Sequence, residues 1–198
     1  MSNETLTLAT YAAGITLAHL PDVVVKRAER LILDFVGNIA RGGFEADSSP
    51  SIRALVARAG LGMDGTSTVI GAPRTYGPAA AALLNGAFGH SLDFDDTHAA
   101  SSLHPSAPVI PAALAAAEMT GASGAKFVAA VIGGYEVCCR LGLALDPTRH
   151  YARGFHPTAT AGTFGAAAAA GRLLGLTPQA MVSAFGVAGS QAAGALQF

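Results

Sequence analysis

Apolar residues recur at helical spacing through most of this 198-residue chain, and this periodicity constrains the fold more than any other feature. The clearest stripe has members three or four positions apart: Val24, Ala28, Leu31, Ile32, Phe35, Val36 and Ile39. Pro21 and Asp22 precede it, as a proline and an acidic residue commonly do in a first helical turn. The sequence therefore predicts a long helix that begins at Pro21 and ends at Arg41-Gly42-Gly43.

Similar patterns predict helices over most of the remaining chain. They cover residues 6–18, 52–56, 78–94, 106–118, 125–143, 158–174 and 178–188. Thr66 to Ile70 is the one β-like run. Glycines such as Gly162 and Gly165 predict close helix contacts, because glycine costs about 1 kcal/mol relative to alanine inside a helix. No linker or repeat divides the sequence, so we predict an all-α, multi-helix fold for residues 1–198.

Charge and hydropathy exclude two classes of partner. The net charge is −1 and 13% of residues are charged, which leaves no basic surface for nucleic acid. The longest uncharged run, Leu173 to Phe198, is interrupted by Thr177-Pro178-Gln179 and predicts two buried helices, not a membrane span. Cys138 and Cys139 are adjacent, which strains a disulfide, so we expect unpaired thiols and a cytoplasmic location.

The ionisable residues are concentrated between Asn85 and Thr97 and just after that stretch. Within six positions the chain places Asp93, Asp95, Asp96 and His98. If residues 90–98 are helical, Asp93, Asp96 and Thr97 share one face. Asp93 and Thr97 could then bind a substrate or hold a catalytic histidine. The alternative is a solvated helix end.

Three neighbouring residues have lesser predicted roles. Asp95 points away from that face, His98 either binds substrate or caps the helix, and His90 could support the site one turn earlier. Adjacent aspartate and histidine also suit a divalent metal. However, the spacing matches neither the HExxH helix nor the EF-hand loop, so we expect no metal.

Two histidines, His104 and His156, each precede a proline and then a hydroxyl residue, Ser106 or Thr158. Proline disfavours the helical conformation for the residue before it, and the hydroxyl residues are good N-caps. Each imidazole is therefore predicted at a helix start, where backbone N–H groups favour an anion and imidazole suits proton transfer. The alternative is two ordinary loop-to-helix junctions.

A locally basic segment surrounds the second of these histidines. Arg149 and Arg153 lie close to His156 in the sequence. Arginine can bind a carboxylate through two parallel hydrogen bonds, which makes Arg153 a candidate substrate-binding residue. The alternative is an exposed surface loop.

Four segments together resemble the N-terminal half of the MmgE/PrpD family: NGAFGHSLDFDDTH, LHPSAPVIPAALAAAE, RGFHPTATAGTFGAAAAAGRLLGL and AFGVAGSQAAGALQF. The family includes 2-methylcitrate dehydratases, cis-aconitate decarboxylases and an iminodisuccinate epimerase. The resemblance covers less than half of a typical member, which continues into an α/β domain. It implies a homodimer with a cofactor-free site between the two domains. It also implies that Asp93, Thr97, His104 and His156 correspond to the family's site residues.

From these observations we predict a lyase that acts on a small polycarboxylate by histidine-mediated proton transfer at a carbon α to a carboxylate. The alternatives are an epimerase or decarboxylase of a related acid, a metal-dependent helical hydrolase, and a non-catalytic helical module. The uncharged run to Phe198 also leads us to expect a further segment or a partner chain. The predicted catalytic residues are His104, His156, Asp93 and Thr97, and the predicted substrate-binding residues are Arg153, Ser106, Thr158 and His98.

Overall fold

The computed structural model describes residues 3–62 and 64–196, and within these ranges the chain forms nine α-helices. They are α1 Glu4–Gly14, α2 Asp22–Glu45, α3 Ser49–Arg58, α4 Pro78–His90, α5 Ser106–Thr120, α6 Gly124–Ala144, α7 Pro147–Ala152, α8 Pro157–Leu173 and α9 Pro178–Gln191. The β-like run forms β1 Ser67–Thr68, which pairs antiparallel with β2 Thr75–Tyr76. The predicted all-α fold is confirmed.

Three helices, α5, α6 and α8, pack against one another in the centre of the fold. On one side α4 packs on α5 and is covered by α2, and on the other side α1 and α9 pack together over α8. The main core lies where these helices meet, and its largest fully buried side chains include Phe35, Ile39, Leu84, Phe88 and Val109. The stripe on α2 therefore buries its apolar face as predicted.

The backbones of α6 and α8 lie close together at a pair of glycines. A Cβ atom added at Gly134 would be 2.8 Å from the carbonyl oxygen of Gly165, and one added at Gly165 would be 2.9 Å from the carbonyl oxygen of Gly134. Both distances are shorter than a Cβ atom tolerates. The predicted close contact between helix backbones is confirmed.

Several elements differ from the sequence prediction. α1 ends at Gly14 instead of continuing to residue 18, and α3 extends over Ser49–Arg58 instead of residues 52–56. α2 continues through Gly42 and Gly43 to Glu45, since both glycines pack against Phe88. α4 ends at His90 instead of continuing to about residue 94, and α7 and β2 were not predicted. Hydrophobic periodicity missed α7 because a helix of six residues has too few turns to display it.

One helix in the described part of the chain, α6, has the length and apolar composition of a membrane span. Half of its most apolar window is buried against neighbouring helices, which is typical of a core helix. The predicted break in the uncharged run is present, because α8 ends before Thr177 and α9 begins after it; Gln197 and Phe198 lie outside the described residues.

The two cysteines are unpaired, as predicted. Cys138 is buried and Cys139 is half-buried. Burial raises the pKa of the Cys138 thiol and, as the largest cause, raises the pKa of Cys139 to about 12. Both groups are therefore protonated and unreactive at neutral pH.

Substitution of two glycines in α2 is expected to change stability in opposite directions. A Cβ atom at Gly42 would lie 2.0 Å from the backbone oxygen of Phe88, so Gly42→Ala should destabilise the fold by about 1–3 kcal/mol. Gly37 is exposed with no atom within 4 Å of an added Cβ, so Gly37→Ala should stabilise by about 0.5–1 kcal/mol. Denaturant unfolding of the two variants measures both effects, and equal midpoints would contradict the packing at Gly42.

Candidate active site

The loop that joins α4 to α5, residues 91–105 (the α4–α5 loop), carries half of the predicted site residues. It begins with a sharp turn, in which the backbone N–H of Asp93 donates to the carbonyl oxygen of His90 over 3.0 Å. Asp93 has a φ of 55°, a left-handed conformation that ends the helix and that aspartate tolerates better than most residues. The predicted helical face through Asp93, Asp96 and Thr97 is therefore wrong.

The turn directs Asp95 into the protein, between two imidazoles. Its side chain is fully buried, and both carboxylate oxygens lie near Nδ1 of His90, at 3.0 and 3.1 Å. The same carboxylate lies 3.5 Å from Nδ1 of His104, whose ring centroid is 4.9 Å from that of His90. The prediction that Asp95 points away from the site is wrong, because the turn replaces the assumed helix.

Asp93 approaches His104 from the opposite side. Its Oδ1 lies 3.7 Å from Nε2 of His104, and its side chain is 78% exposed whereas that of His104 is 19% exposed. His104 therefore lies between an exposed and a buried carboxylate. The backbone N–H of His104 donates to Oγ1 of Thr158 over 3.0 Å, which links the end of the loop to the start of α8.

His156 lies at the N-terminal end of α8 in the extended conformation that the following proline predicts. Its backbone N–H donates to the carbonyl oxygen of Gly194 over 2.9 Å, and its ring packs edge-on against Tyr151 with centroids 5.8 Å apart. Burial, followed by the charges of His90 and His104, lowers the pKa of His156. The imidazole is therefore neutral at physiological pH.

A cleft of about 680 Å³ opens between α4, α5 and α8, and we call it the histidine cleft. His90 lines it from the end of α4 and His156 from the start of α8. These two are the ionisable residues among the described residues that line it, and the remaining wall is built mainly of alanine, glycine and proline. The hydrogen bond to Asp95 raises the pKa of His90 against the opposing effect of its partial burial.

Asp96 faces away from the histidines and holds the start of α5. Its Oδ1 accepts from the backbone N–H of Ser106 over 3.1 Å, and its Oδ2 accepts from the hydroxyl of Tyr135 over 3.0 Å. The hydroxyls of Ser106 and Tyr135 are also hydrogen-bonded to each other. Burial, then the charge of Asp96, raises the pKa of Tyr135, so the phenol stays protonated.

The two hydroxyl residues after the His-Pro steps do not have their predicted capping role. Ser106 and Thr158 are both buried within the first turns of their helices, and Pro105 and His156 occupy the N-cap positions without side-chain hydrogen bonds. Asp96 binds the Ser106 N–H instead, and Thr158 binds His104. The helix starts were predicted correctly, but these partners come from distant parts of the chain.

Three predicted residues are not brought into contact with the histidines. His98 pairs with Leu103 through its backbone and with Ser101 through its ring, so it shapes the loop. Thr97 and Arg153 are exposed, and within residues 3–62 and 64–196 no hydrogen bond joins either side chain to His104 or His156.

Four side chains of this cluster could hold a metal ion. Each of His90, Asp93, Asp95 and His104 offers one ligand atom, and these atoms lie within 4.8 Å of one another. Nitrogen and carboxylate oxygen suit several divalent ions. The 3.0 Å distance between His90 and Asp95 also matches a hydrogen bond, so the same geometry serves proton chemistry without a metal.

Comparison with known proteins identifies relatives over nearly the whole chain. A family model described as the MmgE/PrpD N-terminal domain matches residues 6–198. Similar proteins include a cis-aconitate decarboxylase-like protein, oryM, of Aspergillus oryzae, which is 36% identical over 97% of this chain and 41% of its own length. Cis-aconitate decarboxylases of Aspergillus terreus and Homo sapiens are each 34% identical, over 98% and 97% of this chain and 40% of their own lengths. The chain thus spans about two fifths of the length of these curated relatives.

Proposed function

The chain belongs to the MmgE/PrpD family, and from this premise we propose that it contributes the histidine-bearing part of the active site of a lyase that acts on a small polycarboxylate. Residues 1–198 would form the N-terminal part of the family's helical domain. The observation that carries the proposal is the convergence of His104 and His156 on one region from the end of the α4–α5 loop and the start of α8, with Asp93 and Asp95 on either side of His104.

The two imidazoles suit opposite roles in proton transfer. Because the pKa of His156 is lowered, its neutral form is available as a general base near neutral pH. His104 lies between two carboxylates and suits the delivery of a proton. Asp93 would orient His104. The other predicted residues would contact the substrate only if a further part of the protein completes the site around them; they are Thr97, Ser106, Thr158, His98 and Arg153.

Dehydration and decarboxylation can both be written with these histidines. In a dehydration, His156 removes a proton α to a carboxylate, and His104 protonates the departing hydroxyl group. In a decarboxylation, the bond between carbon and one carboxylate breaks, CO₂ leaves, and His104 protonates the carbon that retains the electron pair. The relatives above are named as cis-aconitate decarboxylases, which favours decarboxylation of a tricarboxylate. Epimerisation would need a second proton donor on the opposite face of the carbon.

Homodimerisation and a cytoplasmic location belong to the same proposal. Val23 and Leu33 on α2 each have 73% of their surface exposed, and exposed apolar surface commonly marks a protein interface. The unpaired cysteines support a reducing compartment.

A substrate screen of the full-length protein tests the proposed function. The protein is incubated with cis-aconitate, 2-methylcitrate and citrate in D₂O, and proton NMR follows product formation while a CO₂ assay follows decarboxylation. We expect turnover of at least one acid, and equal turnover after dialysis against a chelator. Loss of activity with the chelator and its return with a divalent metal would favour the metal-dependent alternative, and no turnover of any acid would overturn the proposal.

A further inference from the structure

His90 and Asp95 form a second ionisable pair at the histidine cleft, beside the residues assigned above. His90 is the last residue of α4, and Asp95 is five positions later in the α4–α5 loop. The Asp95 side chain is fully buried and that of His90 is 37% exposed, so the pair connects the protein interior with the cleft.

The direction of their hydrogen bond follows from the chemistry of the two groups. A carboxylate only accepts hydrogen bonds, so the proton between Asp95 and His90 must lie on Nδ1 of the imidazole. With Nδ1 bound to Asp95, the exposed part of the ring is the edge that carries Nε2. Among the described residues, no hydrogen bond from a side chain or backbone group occupies that nitrogen.

Asp95 also lies against the catalytic histidine. Nδ1 of His104 is buried and has no hydrogen-bond partner, and Oδ1 of Asp95 is 3.5 Å away, at the limit of hydrogen-bond distance. A buried carboxylate is costly unless it is paired, and here His90 supplies the hydrogen bond while His104 lies close by. One small movement of His104 would place both rings on the same carboxylate.

We propose that His90 is a substrate-binding residue whose Nε2–H binds a carboxylate of the substrate in the histidine cleft, and that Asp95 is the positioning residue that fixes the rings of His90 and His104. This inference rests on the proposed function, since it names the group that binds a substrate carboxylate at the same site. It gives roles to His90 and Asp95, which are not among the site residues that the family resemblance implies: Asp93, Thr97, His104 and His156.

The composition of the cleft supports a carboxylate as the ligand of His90. The wall is otherwise built mainly of small apolar residues such as Ala87, Pro108 and Ala159, and its other polar residues are the uncharged Ser48, Ser91, Thr158 and Thr163. The imidazoles are therefore the ionisable groups available to a charged substrate among the described lining residues. An imidazole that donates from Nδ1 to Asp95 and from Nε2 to the substrate carries a positive charge. Asp95 stabilises that charge and raises the pKa of His90.

Steady-state kinetics of the full-length His90→Gln and Asp95→Asn variants, with cis-aconitate as the probe, tests the assignment. Loss of a charged hydrogen bond to substrate should raise the KM of His90→Gln by about 10- to 100-fold, with kcat changed by less than about 3-fold. Asp95→Asn should raise KM and also lower kcat, because the rings of both His90 and His104 lose the carboxylate that fixes their positions. His19→Gln provides the matched control, since His19 is exposed and its ring contacts Thr16.

Calorimetric binding of the same acid to each folded variant separates this inference from the proposed function. If the wild-type protein binds the acid without turnover and His90→Gln loses that binding, the role of His90 is supported and the proposed lyase function is overturned. If turnover occurs and His90→Gln keeps both the wild-type KM and the wild-type affinity, the inference is overturned and the proposed function stands. If Asp95→Asn fails to fold, the kinetics of His90→Gln alone test the role of His90. The role of Asp95 is then tested by ¹⁵N NMR of the histidine rings in the wild-type protein, where His90 must carry a proton on Nδ1.

Discussion

Full-length His104→Ala and His156→Ala variants are expected to lose about 10²-fold or more in turnover, the usual contribution of a positioned acid or base. Each variant removes one of two imidazoles that reach the same region from different segments, the α4–α5 loop and the residue before α8. His156 is extended and held through its backbone by Gly194, so the alanine variant should keep its local fold. His104 is held in the same way by Thr158. Measurement of kcat with the best acid from the substrate screen provides the test.

Asparagine variants and the pH dependence distinguish lost chemistry from lost structure. His104→Asn and His156→Asn keep a polar side chain of similar shape and should be almost as inactive as the alanine variants. In the wild-type protein, kcat/KM should fall on the acid side only below pH 6.5. The ordinary pKa of histidine is 6.5, and the lowered pKa of His156 keeps this base neutral until the pH is below that value. Unchanged turnover in His104→Ala would refute the role assigned to that residue.

The sequence predicted the helices well because their packing follows a local pattern. On α2 the apolar residues recur every three or four positions, and Phe35 and Ile39 are fully buried as that spacing requires. The glycines of α8 predicted close backbone contact, and Gly165 provides it against Gly134 of α6. The starts of α5 and α8 were predicted to within one residue from the His-Pro steps.

The interior of the site could not be predicted, because it depends on one turn and on partners distant in sequence. Hydrophobic periodicity predicted that α4 continues past His90. In the structure, the left-handed backbone of Asp93 reverses the chain and buries Asp95. Nothing in the spacing of DFDD shows which of its carboxylates is buried. A useful signal was the histidine five positions before Asp95, which gives a buried carboxylate a nearby partner once the helix ends.

The capping of α5 shows the same limit in a different way. Ser106 has the residue type of an N-cap, and the helix does begin at that residue. The acceptor for its backbone N–H is nevertheless Asp96, ten residues earlier, and Asp96 is shared with Tyr135 of α6. Local sequence rules predict where a helix needs an acceptor, but the tertiary fold decides which side chain supplies it.

Asp96→Ala is expected to destabilise the fold by about 2–4 kcal/mol. Loss of the acceptor at the start of α5 costs about 1 kcal/mol, and loss of the hydrogen bond that the Tyr135 hydroxyl donates to a charged carboxylate adds about 1–3 kcal/mol, although the hydroxyl keeps its bond to Ser106. The negative charge of Asp96 also favours a helix N-terminus. Unfolding by denaturant, followed by circular dichroism, measures the change in the free energy of unfolding.

A double-mutant cycle shows whether this loss arises from the pair. Tyr135→Phe removes the hydroxyl that Asp96 accepts from, so the combined Asp96→Ala/Tyr135→Phe variant should be less destabilised than the sum of the two single variants. Asp64→Ala is the matched control, because its carboxylate is 95% exposed and lies 3.9 Å from Arg74, so its effect should stay within about 0.5 kcal/mol. If the cycle is strictly additive, Asp96 and Tyr135 act independently. The start of α5, and with it His104, would then have to be held by other contacts.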